Sequence, residues 1–85
     1  MKTGDKSNPW NQILAEIQSR VEDNAFETWF EPTSYIGEEG DILYIKVPNS
    51  YFKDWLSFHY SNLINESARQ LFNHPFDIKY IYDES

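Results

Sequence analysis

The chain has 85 residues, 40% of them hydrophobic and 25% charged, which suits one domain with a single modest core. It has no cysteine, so disulfides, zinc–thiolate centres and thiol nucleophiles are excluded. A net charge of −7 opposes close approach to phosphate backbones, and no apolar run nears the ~18 residues of a membrane span.

The charge is uneven. Residues 1–41 carry nine acids and three bases, and residues 42–85 carry five and four. An acidic surface suits solubility and attraction to basic protein surfaces. The opening "MKTGDKSNPW" lacks the apolar segment of a signal peptide, so a cytoplasmic location is expected.

Residues 1–7 are polar and expected to be disordered; 8–83 form the domain and 84–85 a tail. Asn8 and Pro9 mark a helix start, as N-cap and first helical residue. Trp10, Ile13, Leu14, Ile17 and Val21 follow at helical spacing and form one apolar stripe. The stripe headed by Trp10 is expected to run past the edge of the core, where the ring could meet its symmetry mate. A ring packed wholly in the core is the other alternative. After "EDN", Asn24 and Glu27 resemble a capping box opening a short second helix, with Phe26, Trp29 and Phe30 on one face. Pro32 stops it.

A hairpin comes next: "TSYI" enters the turn "GEEGD", and "ILYIKV" leaves it with Leu43, Ile45 and Val47 on one face. Beyond Pro48, one long helix is expected from about Ser50 to Phe72. The strand "FDIKYIY" closes the chain, with Phe76, Ile78, Tyr80 and Tyr82 aligned. The order α-α-β-β-α-β predicts an α+β fold in which all helices cover one side of a three-stranded sheet.

The helix after Pro48 carries an unusual load of rings. Phe52, Leu56, His59, Leu63 and Ser67 share its apolar face, which makes His59 a core imidazole. Tyr51 and Phe58, seven apart, stack on another side, with Trp55 between the zones. Tyr51 and Phe58 are either displayed for a partner or covered by the hairpin or first helix.

No catalytic constellation is present. His59 and His74 belong to no metal-ligand pattern, and Glu38, Glu39 and Asp41 lack calcium-loop spacing. Neither G-x-x-x-x-G-K-[ST] nor G-x-G-x-x-G occurs. No enzyme activity, cofactor or metal is expected.

Three signatures converge: a Trp opening the first helix, "FETWFEP", and "VPNSYFKDWL" after a hairpin. Together they resemble the N-terminal domain of the bacterial replication initiator DnaA, over Trp10 to about Tyr82. The resemblance implies a KH-like α+β fold that performs no chemistry. It implies self-association, helicase recruitment at the origin and docking of regulatory proteins. On it, Trp10 matches an aromatic linked to weak self-association, and Tyr51 one linked to contact with the replicative helicase. Ala25 stands where some members carry an acid tied to helicase contact, with Glu27 nearby. Thr33 stands where an apolar residue is common. The partner-binding residues expected are therefore Tyr51, Phe58, Trp55 and Glu27.

Two other classes compete with an interaction domain. One is a weak single-stranded nucleic-acid-binding KH-like module, using rings for stacking. The acidic, glycine-free "EDN" where an RNA-binding KH domain has G-x-x-G speaks against it, as does the charge, and tight nucleic-acid binding is not expected. The other is a structural domain with every ring buried.

Overall fold

A computed structural model describes residues 8–83, and the expected disordered segment 1–7 and tail 84–85 lie outside the described residues. Asn8 sits in extended backbone and its side chain accepts from the Asn11 N–H at 2.7 Å. Pro9 supplies the first helical residue at no hydrogen-bond cost, and α1 runs Pro9–Gln18. Its stripe buries Trp10, Ile13 and Ile17 completely.

The second helix differs from its expected form at both ends. Glu22, not Asn24, holds the cap position, in extended backbone and without a side-chain bond, so α2 is the single turn Asp23–Ala25. The capping box of Asn24 and Glu27 is unused because Asn24 already lies inside that turn. The chain then widens into a π-helical turn, Phe26–Phe30, in which the Glu31 N–H reaches the Phe26 carbonyl at 3.1 Å, five residues back.

The sheet has the order β1 (Ser34–Glu39), β2 (Ile42–Lys46), β3 (Asp77–Ile81). The first pair is antiparallel and the second parallel, with Leu43 opposite Ile78 and Ile45 opposite Tyr80. The hairpin is tighter than "GEEGD" suggested: β1 continues through Glu39, with a register shift between Tyr35 and Gly37. The turn is Gly40–Asp41, and Gly40 takes φ 62°, where a side chain would be strained. Beyond the paired residues, Val47 donates to the Ile81 carbonyl at 2.8 Å, and Asp77 to that of Asp41 at 2.8 Å.

The expected single long helix is two. Asn49 caps the first, accepting from the Phe52 N–H at 3.2 Å, and α3 runs Ser50–His59. Tyr60 then leaves helical geometry (φ −121°, ψ 4°), and α4 runs Ser61–Phe72. No proline or glycine marks the break. Its reason is tertiary: the Tyr60 ring packs edge-on against Phe30 at 5.0 Å, and α4 is re-phased to bury Ile64, Ser67 and Ala68. Asn73 closes α4 in left-handed backbone (φ 68°).

The expected α+β architecture holds, with the helices on one side of the sheet. Leu43, Ile45 and Val47 face inward and are buried with Trp10, Ile13, Ile17, Phe30, Leu56, Ile64 and Ala68. Ile78 and Tyr80 line the margin of that core. Lys46, Asp77, Lys79 and Ile81 alternate outward and are exposed. Burial pushes the Tyr80 phenol well above its ordinary pKa of 10.0.

Candidate functional site

Two expectations for ring placement fail, for opposite reasons. Trp10 is 0% exposed, and its indole N–H donates to the Thr33 hydroxyl at 2.9 Å. That hydroxyl in turn donates to the Phe30 carbonyl. Thr33 thus supplies the acceptor that a buried indole needs, and an apolar residue there could not. An enclosed ring has no surface to offer a symmetry mate, so Trp10 is a core residue and not the expected edge contact. His59, read as a core imidazole, is exposed. The helix ends at His59, and Tyr60 instead of His59 turns into the core.

The rings of α3 form a site. Tyr51 is 60% exposed and Phe58 82%, so both project from the helix as the display alternative requires. The hairpin and α1 do not cover them. Trp55 lies half-buried between them, stacked on Trp29 with centroids 4.6 Å apart and planes 7° from parallel. Trp29 also meets Tyr51 at 5.8 Å and Phe52 at 5.1 Å. On its other side Trp55 meets His59 at 4.1 Å, and His59 meets Phe58 edge-on at 5.0 Å. The result is a continuous aromatic surface from Trp29 to Phe58, with Phe52 beneath as its half-buried link to the core.

The π-helical turn makes this possible. Spacing alone put Phe26, Trp29 and Phe30 on one face. In the structure Phe26 and Phe30 stack together in the core at 5.8 Å, while Trp29 swings toward α3. A π-helical turn takes more residues per turn, so residues three apart that an ordinary helix would align diverge. Sequence reasoning missed Trp29 as a site residue for this reason. The surviving signal was its place within "FETWFEP", a motif followed by a helix rich in rings. Glu27 is exposed two residues before Trp29, on the same turn.

Between the projecting rings lies a shallow cleft of about 180 Å³, lined by Tyr51, Asp54, Trp55, Phe58 and His59. A second, of about 200 Å³, sits between α3, α4 and β3, bordered by Ser57, Asn65, Asp77 and Tyr80. Among the described residues no group of three or more His, Asp or Glu could hold a metal ion. No described helix is long and apolar enough to cross a membrane.

The pattern of the DnaA N-terminal domain family matches residues 7–70. Among solved structures, a chain of a HobA–DnaA (domain I–II) complex from Helicobacter pylori superposes with a TM-score of 0.73. It is 21% identical, and the match covers 91% of this chain and 100% of that one. At that identity the likeness is one of fold.

Proposed function

This chain belongs to the DnaA N-terminal domain family, a protein-interaction domain of replication initiation, and from that premise we propose that the aromatic surface of α3 is its docking face. The observation that carries the proposal is the pair Tyr51 and Phe58, projecting into solvent from either side of the Trp29–Trp55 stack. Large rings held rigid by their neighbours bury much area and lose little side-chain entropy on binding, the usual profile of an interface anchor. The partner we assign to this face is the replicative helicase, with regulators of initiation as further ligands. That a solved relative of the same fold comes from a complex with HobA supports docking of regulators. Glu27, exposed beside Trp29, stands at the rim. The domain does no chemistry of its own in this account, and weak self-association uses surface other than Trp10.

The test is a binding titration of the purified replicative helicase from the same organism against wild type and Tyr51→Ala. The variant is expected to bind at least ~2 kcal/mol more weakly, roughly thirty-fold, while staying folded. Unchanged affinity would move the helicase to another surface. The exposed rings also favour a single-strand-binding role by stacking. Micromolar binding of single-stranded DNA at physiological salt would establish that role; the charge of −7 predicts none.

A further inference from the structure

The cleft between Tyr51 and Phe58 has a composition that the docking role alone does not require. A surface built only for apolar contact would line it with aliphatic or neutral groups. Here three aromatic rings and an imidazole surround a single carboxylate, that of Asp54. Asp54 lies one turn from each ring, three residues after Tyr51 and four before Phe58, so all three project from one side of α3. Among the described residues Asp54 makes no ion pair. Both projecting rings are more exposed than buried.

We infer that this cleft receives a cationic side chain of the docking partner, an arginine guanidinium held between the Tyr51 and Phe58 rings and paired with Asp54. Ring faces carry negative electrostatic potential and attract a cation placed over them. A guanidinium is flat and weakly hydrated, so it can lie against a ring while its N–H groups reach a carboxylate, which a compact, strongly hydrated ammonium does less well. Across two turns of helix the Tyr51 and Phe58 backbones are about 10 Å apart, and the cleft they border has a volume of about 180 Å³. The charge of the whole chain, −7, favours the same sign of ligand. The inference rests on the docking role proposed above and adds the chemistry of what docks.

The test uses capped tripeptides, glycine–arginine–glycine and the same peptide with citrulline, which keeps the shape of arginine without its charge. Each is titrated into the ¹⁵N-labelled 85-residue chain and followed by amide and indole NMR signals. The arginine peptide is expected to give saturable shifts centred on Tyr51, Asp54, Trp55 and Phe58. The citrulline peptide is expected to bind at least roughly five-fold more weakly. Asp54→Asn should remove most of that difference, and Phe58→Ala should weaken both peptides. Both substituted residues are exposed, and the spectrum itself reports that the fold is kept.

Equal affinity of the two peptides would overturn the inference, as would shifts centred elsewhere or no saturable binding at all. If arginine and citrulline bind alike while Tyr51→Ala still loses the helicase, the cation claim fails and the docking role stands. If Tyr51→Ala and Phe58→Ala both keep full helicase affinity, the docking role itself fails.

Discussion

Trp10 opens α1 and Trp55 sits midway along α3, each on an amphipathic helix, yet the fold treats them differently. Trp10 is enclosed, and its N–H is satisfied by Thr33, whose hydroxyl passes the bond on to Phe30. Trp55 is half-buried and rests between Trp29 and His59, and among the described residues its buried indole N–H has no hydrogen-bond partner. The first site is complete in polar and apolar terms. The second is held by stacking and leaves a donor unsatisfied, a cost of about 1–3 kcal/mol. Departures from full local satisfaction concentrate where a protein serves function over stability. The contrast separates a ring that builds the domain from rings that the domain presents.

The largest effect should come from breaking the complete site. Trp10→Ala removes a fully buried ring and is expected to cost about 3–5 kcal/mol of stability, enough to unfold much of a domain this small. Urea unfolding measures it. Any loss of self-association in that variant would then follow from unfolding, and sedimentation of the folded fraction would show association unchanged. Thr33→Val is the sharper version, because it nearly keeps volume and deletes only the hydroxyl, the acceptor for Trp10 and the donor to the Phe30 carbonyl. It should cost about 1–3 kcal/mol, the penalty of an orphaned indole N–H. A neutral result would mean that the Trp10 bond contributes nothing.

A smaller effect concerns the sheet margin and pH. Burial raises the Tyr80 pKa in the folded state above its ordinary 10.0. The folded protein therefore holds this proton at a pH where the unfolded chain has lost it. The corresponding stability is intact below pH 10 and declines as pH rises further. Tyr80→Phe cannot ionise, so its stability should fall less steeply above pH 10 than that of wild type. Parallel slopes would count against burial of the phenol.

The smallest effect lies at Ser67, fully buried on α4 with a hydroxyl that has no hydrogen-bond partner among the described residues. Ser67→Ala deletes that hydroxyl in nearly the same volume and should raise stability by up to ~1 kcal/mol. A destabilised variant would show that the hydroxyl is satisfied in solution.

Much of this architecture was legible in residue patterns. Asn8–Pro9 opened α1, the alternation of Leu43, Ile45 and Val47 gave the inward face of β2, and Pro48 placed the start of α3 to within a residue, the cap being Asn49 where Ser50 was the expected one. These are local signals, and local geometry obeys them. The break at Tyr60 was not legible, because no Gly, Pro or polar cap marks it; a contact with Phe30, thirty residues earlier, decides it. His59 was misplaced for that same reason. Tyr51 and Phe58 were readable as display candidates because helical periodicity separates them from Leu56. Trp29 was not, since nothing in "FETWF" announces a π-helical turn. Trp10 was misjudged because its burial depends on Thr33, a residue whose departure from the apolar norm gained meaning only once the two were seen in contact.

The projecting rings of α3 are surplus to folding. The decisive measurement is the unfolding free energy of the double variant Tyr51→Ala/Phe58→Ala, taken in urea beside wild type. The expected change is within ~1 kcal/mol with an unaltered denaturant slope, since exposed side chains away from core contacts contribute little. A loss of about 3 kcal/mol or more would place those rings in the core and contradict it.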